Sequence, residues 1–189
     1  EQKQNALRNA LVDFDKEDLE EFIELGTAGY WLTFETDTQI KHAHILSNAK
    51  KNPKDVHIHV EHDVNNHVSE ITVYTPDHPG LFSVIAGAMV LSNGSIVDAK
   101  ISTLSNGMAL DTFSIQNHSQ EAFDSQDKID RLAMRINKIL KGEIYIADEI
   151  KKMMKNTLKS RRDVFTVPPR VLIDNKVSEH FTVIEVNGR

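Results

Sequence analysis

The residues best suited to bind a small molecule lie in one short turn, which runs from Asp77 to Phe82 with the sequence DHPGLF. Residues 71–75 before the turn alternate between apolar and polar side chains, which predicts a strand, and the apolar residues between 81 and 90 recur with the period of a helix. A helix that begins after such a turn presents free backbone N–H groups. These groups can bind a carboxylate without a basic side chain.

Three residues of the turn have types that suit the start of a helix. We expect Asp77 to cap the helix, Pro79 to lie in its first turn, and Gly80 to leave room for another group to come close. Gly94 suits the left-handed position beyond the last turn. An ordinary capped helix start explains the same residues without any ligand, so the residues alone leave both interpretations open.

A resemblance extends these observations. The strand, the turn, the helix and residues 94–99 (GSIVDA) resemble the first half of an ACT domain, a small regulatory module that binds amino acids. Residues 107–113 (GMALDTF), 167–170 (VPPR) and 180–189 (HFTVIEVNGR) resemble one family in particular, the bifunctional uridylyltransferase/uridylyl-removing enzymes that modify the bacterial nitrogen-signalling protein PII. Its members contain, in this order, regions similar to a nucleotidyltransferase domain, an HD phosphohydrolase domain and two ACT domains. The resemblance covers nearly all of this chain and implies a non-catalytic portion that contains the first ACT domain.

The resemblance also implies a ligand and its site. Glutamine is the regulatory amino acid of this family, and its ammonium would meet Asp77 or Asp98. The implied ligand-binding residues are Asp77, His78, Pro79, Gly80, Leu81, Phe82, Ile96, Val97 and Asp98. ACT domains usually pair and close each other's pockets, so the implied partners are a second ACT domain or a homodimer partner.

For the whole enzyme the resemblance implies PII as a partner, Mg and UTP as cofactors, and a cytoplasmic location. No cofactor is expected within this chain. The transferase signature, a Gly-Ser pair followed by metal-binding aspartates, is absent from the 189 residues, as are a Gly-x-Ser-x-Gly elbow and a phosphate-binding loop.

Composition sets the broad class of protein. With 189 residues, 40% hydrophobic and 26% charged, the chain is typical of a soluble globular protein of one or two domains. A formal net charge of −6 argues against nucleic acid as a partner, and the lack of cysteine excludes disulfides and thiolate metal sites. No apolar run approaches the roughly 18 residues of a membrane span, so no membrane partner is expected. The chain begins without Met and stops after a strand-like run, and we expect it to be a piece of a longer protein.

The order of predicted elements indicates the fold. Residues 1–53 carry two short helical patterns, an interruption at 29–32 and a longer helix from Thr36 to about Lys51. Strands are then predicted at 56–60, 69–75, 96–103, 107–116 and 171–173, and a second amphipathic helix at 129–140 that could continue to Met154. From residue 69 onwards, with the helix of residues 81–90 after the first of these strands, the elements follow the order β-α-β-β-α-β. This order predicts an α+β, ferredoxin-like ACT domain with an antiparallel sheet and both helices on one face.

The predicted domains are 1–53, a helical segment that follows the HD domain; 54–176, the first ACT domain; and 177–189, the first strand of a second ACT domain. The edge of strand 181–186 is unprotected, and we expect it to pair with a neighbouring chain or to fold back on the ACT sheet.

Other candidate residues favour structural roles. His57 and His59 share a strand face and have a spacing that could chelate a metal, but a polar strand edge explains them better. His62-Asp63 matches the dipeptide of HD phosphohydrolases without the further ligands such a site needs, so no metal site is predicted. Asp111 interrupts an apolar strand, and a structural hydrogen bond is its expected role.

Two alternatives to glutamine sensing stay open. The first is an ACT module that pairs and transmits signals without a ligand. The second is an ACT regulatory domain of another enzyme linked to amino acids or alarmones.

Overall fold

The computed structural model describes residues 1–54, 56–63, 67–116, 125–156, 170–174, 176 and 182–187. The chain divides into two compact units, Glu1–Lys151 and Lys152–Arg189. Its helices are α1 (Gln2–Ala10), α2 (Lys16–Leu25), α3 (Ala28–Thr33), α4 (Thr36–Lys51), α5 (Leu81–Leu91), α6 (Gln126–Leu140) and α7 (Ile146–Asn156). Its strands are β1 (His57–Asp63), β2 (Val68–Pro76), β3 (Ser95–Lys100), β4 (Met108–Gln116), β5 (Arg170–Asp174) and β6 (Val183–Asn187).

A four-stranded antiparallel sheet lies at the centre of the first unit, with the order β1-β2-β4-β3. The α+β class is therefore confirmed, and residues 69–116 form the predicted strand, helix, strand and strand. The fourth strand differs from the prediction. Residues 171–173 lie in β5, which pairs with β6 in a separate two-stranded sheet, while β1 takes the place beside β2.

The two strands of the second unit also correct the expectation for residues 181–186. Strand β6 pairs with β5 of the same chain, through a register that sets Ile173 opposite Ile184. Phe181 and residues 167–169 lie outside the described part of the chain. The domain boundaries at 53/54 and 176/177 stay a prediction.

Helices cover both faces of the central sheet. Helices α5 and α6 pack on one face, as predicted, and bury a core that includes Ile71, Ile85, Phe113 and Ile136. The second core joins α1, α2, α3 and α4 to Leu110 of β4 on the opposite face. The helical segment and the sheet thus form three layers within one compact unit, which the sequence did not predict.

Local helix boundaries depart from the expectations at three places. Residues 29–32, expected to interrupt the helical pattern, lie in α3, whose first turn is capped by the hydroxyl of Thr27. Helix α6 ends at Leu140, and Gly142 at φ +72° separates it from α7, so the two are distinct helices. After α5 it is Asn93, with φ +67°, that takes the left-handed position rather than Gly94.

Helix α5 packs on the sheet through a stripe of four buried residues, Leu81, Ile85, Ala88 and Met89. The sequence placed Phe82 and Ala86 in this stripe, but Phe82 is 47% exposed and Ala86 is half-buried. Ile85→Ala is expected to lower the free energy of unfolding by about 2–5 kcal/mol, because the side chain is fully buried. Chemical denaturation measures this loss.

Phe82→Ala is the matched control on the same helix. The Phe82 ring stacks on Phe113 with its centroid 5.9 Å away, so its removal should cost only about 0.5–1.5 kcal/mol. Equal losses for the two variants would contradict this assignment of the buried stripe.

Within the described part of the chain, the structure contains no helix with both the length and the apolar composition of a membrane span.

Candidate functional site

The candidate turn joins β2 to α5 through Asp77, His78, Pro79 and Gly80, all of which are exposed. Gly80 is the N-cap of α5 and has φ +86°, a left-handed conformation that favours glycine. A Cβ atom there would lie 3.7 Å from the Ser83 hydroxyl, which is ordinary contact. Gly80 is thus favoured by its backbone conformation, and that it leaves room for a ligand stays a prediction.

Asp77 and Pro79 also differ from their expected roles, because both precede the N-cap. The Asp77 carboxylate does not cap the helix; its Oδ2 accepts a hydrogen bond from the Thr103 hydroxyl at 2.6 Å. The Asp77 N–H donates to the Gly107 carbonyl at 3.0 Å. Asp77 therefore fastens the turn to the loop of residues 101–107 that connects β3 and β4. The His78 ring nitrogen Nδ1 lies 3.2 Å from the Pro79 carbonyl.

The first turn of α5 retains backbone groups that could receive an anion. The Leu81 N–H donates to the His78 carbonyl at 3.1 Å, and the Val84 N–H donates to the Gly80 carbonyl at 3.0 Å. Between them, the N–H groups of Phe82 and Ser83 make no hydrogen bond within the described part of the chain. Both residues are exposed, so a carboxylate can approach these two donors.

The other predicted ligand-binding residues lie in β3, an edge strand of the sheet. Ile96 pairs with Ile115 and Asp98 with Ser114, and Val97 bulges between them with 57% of its surface exposed. Asp98 is also exposed.

The strand register separates the two halves of the predicted site. Asp77 is bonded to Gly107 at one end of β4, whereas Asp98 lies opposite Ser114 near the other end. At about 3.4 Å per residue, these positions, seven residues apart on the strand, are separated by roughly 24 Å. A single amino acid therefore cannot contact both Asp77 and Asp98 of the same chain.

Asp111 is a buried carboxyl group beside the candidate turn. Its Oδ1 accepts a hydrogen bond from the Ser102 N–H at 3.2 Å, as the predicted structural role requires. Burial raises the pKa of Asp111 to about 6, against the lowering effect of the Ser102 bond, and the charge of Asp77 raises it further. The sequence identified Asp111 as a polar residue in an apolar strand. The shift of its pKa depends on burial in the folded protein, which the sequence does not show.

A buried polar chain links the helical layer to the sheet and was not predicted. The Tyr30 hydroxyl lies 2.9 Å from His42 Nδ1, and His42 Nε2 lies 3.1 Å from the Thr112 hydroxyl. Burial lowers the pKa of His42 to about 3, so the imidazole is neutral, and burial raises the pKa of Tyr30. A histidine at a position of α4 that faces the core is the only sequence signal of this contact.

The remaining histidines engage in local contacts. His59 Nε2 lies 3.1 Å from Glu61, and His62 Nδ1 lies 3.0 Å from the Ser69 hydroxyl. Burial lowers the pKa of His57, and the nearby charge of Lys54 lowers it further. Among the described residues, the structure contains no group of three or more His, Asp or Glu side chains suited to a metal ion.

Comparison with known proteins gives a consistent family. No family model matches the chain. The chain is similar to the bifunctional uridylyltransferase/uridylyl-removing enzyme of Azospirillum brasilense, with 42% identity over 187 residues, 98% of the chain and 20% of that protein. The corresponding enzyme of Rhodospirillum rubrum is 41% identical over 187 residues, 99% of the chain and 20% of that protein. For the enzyme of Gluconobacter oxydans, identity is 42% over 171 residues, 90% of the chain and 18% of that protein.

The chain thus spans about a fifth of the length of the curated relatives it matches. The first two alignments cover 98% and 99% of the chain, so they include both cores and the candidate turn. This chain belongs to the family of bifunctional uridylyltransferase/uridylyl-removing enzymes.

Proposed function

We propose that this chain is the regulatory region of a uridylyltransferase/uridylyl-removing enzyme, and that its 77–82 turn binds the carboxylate of free glutamine. The observation that carries the proposal is the first turn of α5, where the exposed Phe82 and Ser83 N–H groups follow a left-handed Gly80. The ligand's α-carboxylate lies against these donors.

In this proposal a complete pocket requires a second ACT domain. The ammonium of glutamine needs an acidic partner, and Asp98 of the same chain is roughly 24 Å away along the sheet. An Asp98 supplied by a neighbouring domain, paired along the exposed β3 edge, meets this need. The partner is the second ACT domain of the same enzyme or another copy of this one.

The whole enzyme, in the same proposal, transfers a uridylyl group from UTP to PII with Mg in the cytoplasm. The present chain supplies none of that chemistry and passes the glutamine signal to the domains that do. An ACT module without ligand is the second candidate. It is favoured by the exposed apolar side chains of Val97 (57%) and Ile101 (45%) at the β3 edge, which suit a protein contact.

Calorimetric titration with glutamine distinguishes the two candidates. We expect heat of binding from a longer protein that contains both ACT domains, and little or none from residues 1–189 alone, because the pocket is shared. Asparagine serves as the control ligand, since it differs by one methylene group. If glutamine binds to neither protein, this result would contradict glutamine sensing at this site and favour the module without ligand.

A further inference from the structure

A cleft of about 290 Å³ opens on the face of the sheet opposite α5. Helix α2 forms one wall, α4 forms a second, and Pro53, Lys54 and His57 form a third. Tyr74 of β2 and Asn106 of the β3–β4 loop line its sheet side. The cleft shares no lining residue with the 77–82 turn and is a separate place in the fold.

The α2 side of the cleft carries a net negative charge. Asp18 accepts hydrogen bonds from the Ser47 hydroxyl at 2.6 Å and from Lys50 at 3.0 Å, and Glu21 accepts from Lys50 at 2.7 Å. These bonds hold the pKa of Asp18 below its usual range, so it is ionised at neutral pH. Two carboxylates thus face a single ammonium, which leaves about one uncompensated negative charge.

The third wall carries the opposite charge. Lys54 lines the cleft just beyond α4 and makes no ion pair within the described part of the chain. Its neighbour His57 has a lowered pKa and is neutral at pH 7. Among the described lining residues, the cleft therefore has a negative side at α2 and a positive charge at Lys54, and the charges of its two carboxylates and two ammonium groups sum to zero.

Between the charged sides the lining is apolar or neutral. Phe22, Leu25 and Leu46 supply the apolar surface. Burial raises the pKa of Tyr74, so its hydroxyl remains protonated and can donate a hydrogen bond. A concave site with an apolar lining and a few polar groups is the usual form of a small-molecule site, and separated opposite charges favour a ligand with the same separation.

We propose that this cleft binds a short dipolar molecule that carries an ammonium at one end and a carboxylate at the other. The ammonium lies beside Asp18 and Glu21, and the carboxylate lies beside Lys54. The site is distinct from the glutamine site proposed at the 77–82 turn and does not depend on it.

Three four-carbon probes separate the charge requirements: 4-aminobutanoate, butanoate and butylamine. We expect 4-aminobutanoate to bind to the 189-residue chain at least tenfold more tightly than butanoate or butylamine, as measured by titration of NMR chemical shifts. The chain's single tryptophan gives a second signal, since the Trp31 ring centroid lies 6.2 Å from that of Phe22 in the cleft wall.

Two variants test the two sides. Lys54→Gln should weaken the binding of 4-aminobutanoate at least fivefold and leave the binding of butylamine unchanged. Glu21→Gln should weaken 4-aminobutanoate and butylamine and leave butanoate unchanged. Lys138→Gln and Glu17→Gln make the same changes of charge at exposed positions outside the cleft and should leave the binding of all three probes unchanged.

The proposal is overturned if 4-aminobutanoate binds no more tightly than the singly charged probes. It is also overturned if Lys54→Gln and Lys138→Gln have equal effects on the binding of 4-aminobutanoate, since the electrostatic attraction would then be general. Thermal unfolding of each variant establishes that it is folded under the conditions of titration. Gly80→Val should leave this binding intact, so failure here and failure of glutamine sensing at the turn give different results.

Discussion

If the 77–82 turn binds glutamine as proposed, Gly80→Val is expected to abolish the response of the full-length enzyme to glutamine. Gly80 has φ +86°, where a non-glycine residue costs roughly 1–2 kcal/mol and a β-branched residue is a clear outlier. The valine variant relieves this cost by moving the backbone, which redirects the Phe82 and Ser83 N–H groups away from the carboxylate. The measurement is the rate of uridylyl transfer and of uridylyl removal as glutamine is increased.

Gly80→Asn is the matched control for this result. Asparagine adopts left-handed backbone more readily than other non-glycine residues, and the added Cβ meets only ordinary contact with Ser83. The asparagine variant should therefore retain most of the glutamine response. A normal response in the valine variant would refute the assignment of the ligand to this turn.

The second large effect concerns Asp111, whose replacement should stabilise the protein near neutral pH. Its pKa rises from 3.8 in the unfolded chain to about 6 in the folded protein, so ionisation favours unfolding and costs stability as the pH rises through that range. Asp111→Asn removes this cost and keeps an acceptor for the Ser102 N–H. We expect its free energy of unfolding to exceed that of the parent by about 1–3 kcal/mol at pH 7 and by almost nothing at pH 4.

His42 should show the opposite dependence on pH. Its pKa falls from 6.5 in the unfolded chain to about 3 in the folded protein, so the stability it contributes is complete above pH 6.5 and is lost as the pH falls toward 3. His42→Gln should destabilise the protein at pH 7, because it disturbs the contacts with Tyr30 and Thr112. Its deficit relative to the parent should then shrink by about 1.4 kcal/mol per pH unit as the pH falls below 6.5.

Urea denaturation of the parent and both variants at several pH values tests this pair of expectations. Other ionisable groups contribute equally to the parent and to each variant, so the differences isolate Asp111 and His42. Between about pH 4 and 6 the two groups oppose each other in the parent. A constant difference across the pH range for either variant would contradict the shift in pKa assigned to that residue.

The segment from β2 to β4 could be predicted from sequence because its signals are local. Alternation, the Pro-Gly turn and the helical period each act over a few residues, and they place β2, α5, β3 and β4 correctly. The choice of the fourth strand depends on long-range pairing. Both 56–60 and 171–173 are predicted strands that could take this place, and only the tertiary structure sets β1 beside β2.

The candidate site was predicted in its residues but not in its geometry. Helix α5 begins after Gly80, whose backbone is left-handed. The sequence favoured Asp77 as the cap because aspartate is a common N-cap residue, and it therefore placed the start of the helix too early. The separation of Asp98 from Asp77 follows from strand register, which composition and periodicity do not determine. His42 and Tyr30 escaped notice because polar side chains are usually exposed, and their burial depends on contact between two distant elements.

The loop between β3 and β4 contacts both the helical layer and the 77–82 turn. The Ser105 N–H donates to the Leu25 carbonyl at the end of α2 at 2.9 Å, two residues before Gly107 accepts from the Asp77 N–H at 3.0 Å. The sheet lies between the helical layer and α5, so a shift of α2 reaches the 77–82 turn more directly along this loop than through the core. The loop therefore connects α2 to the turn through these two hydrogen bonds. A change in its conformation can reposition the turn while every strand keeps its register.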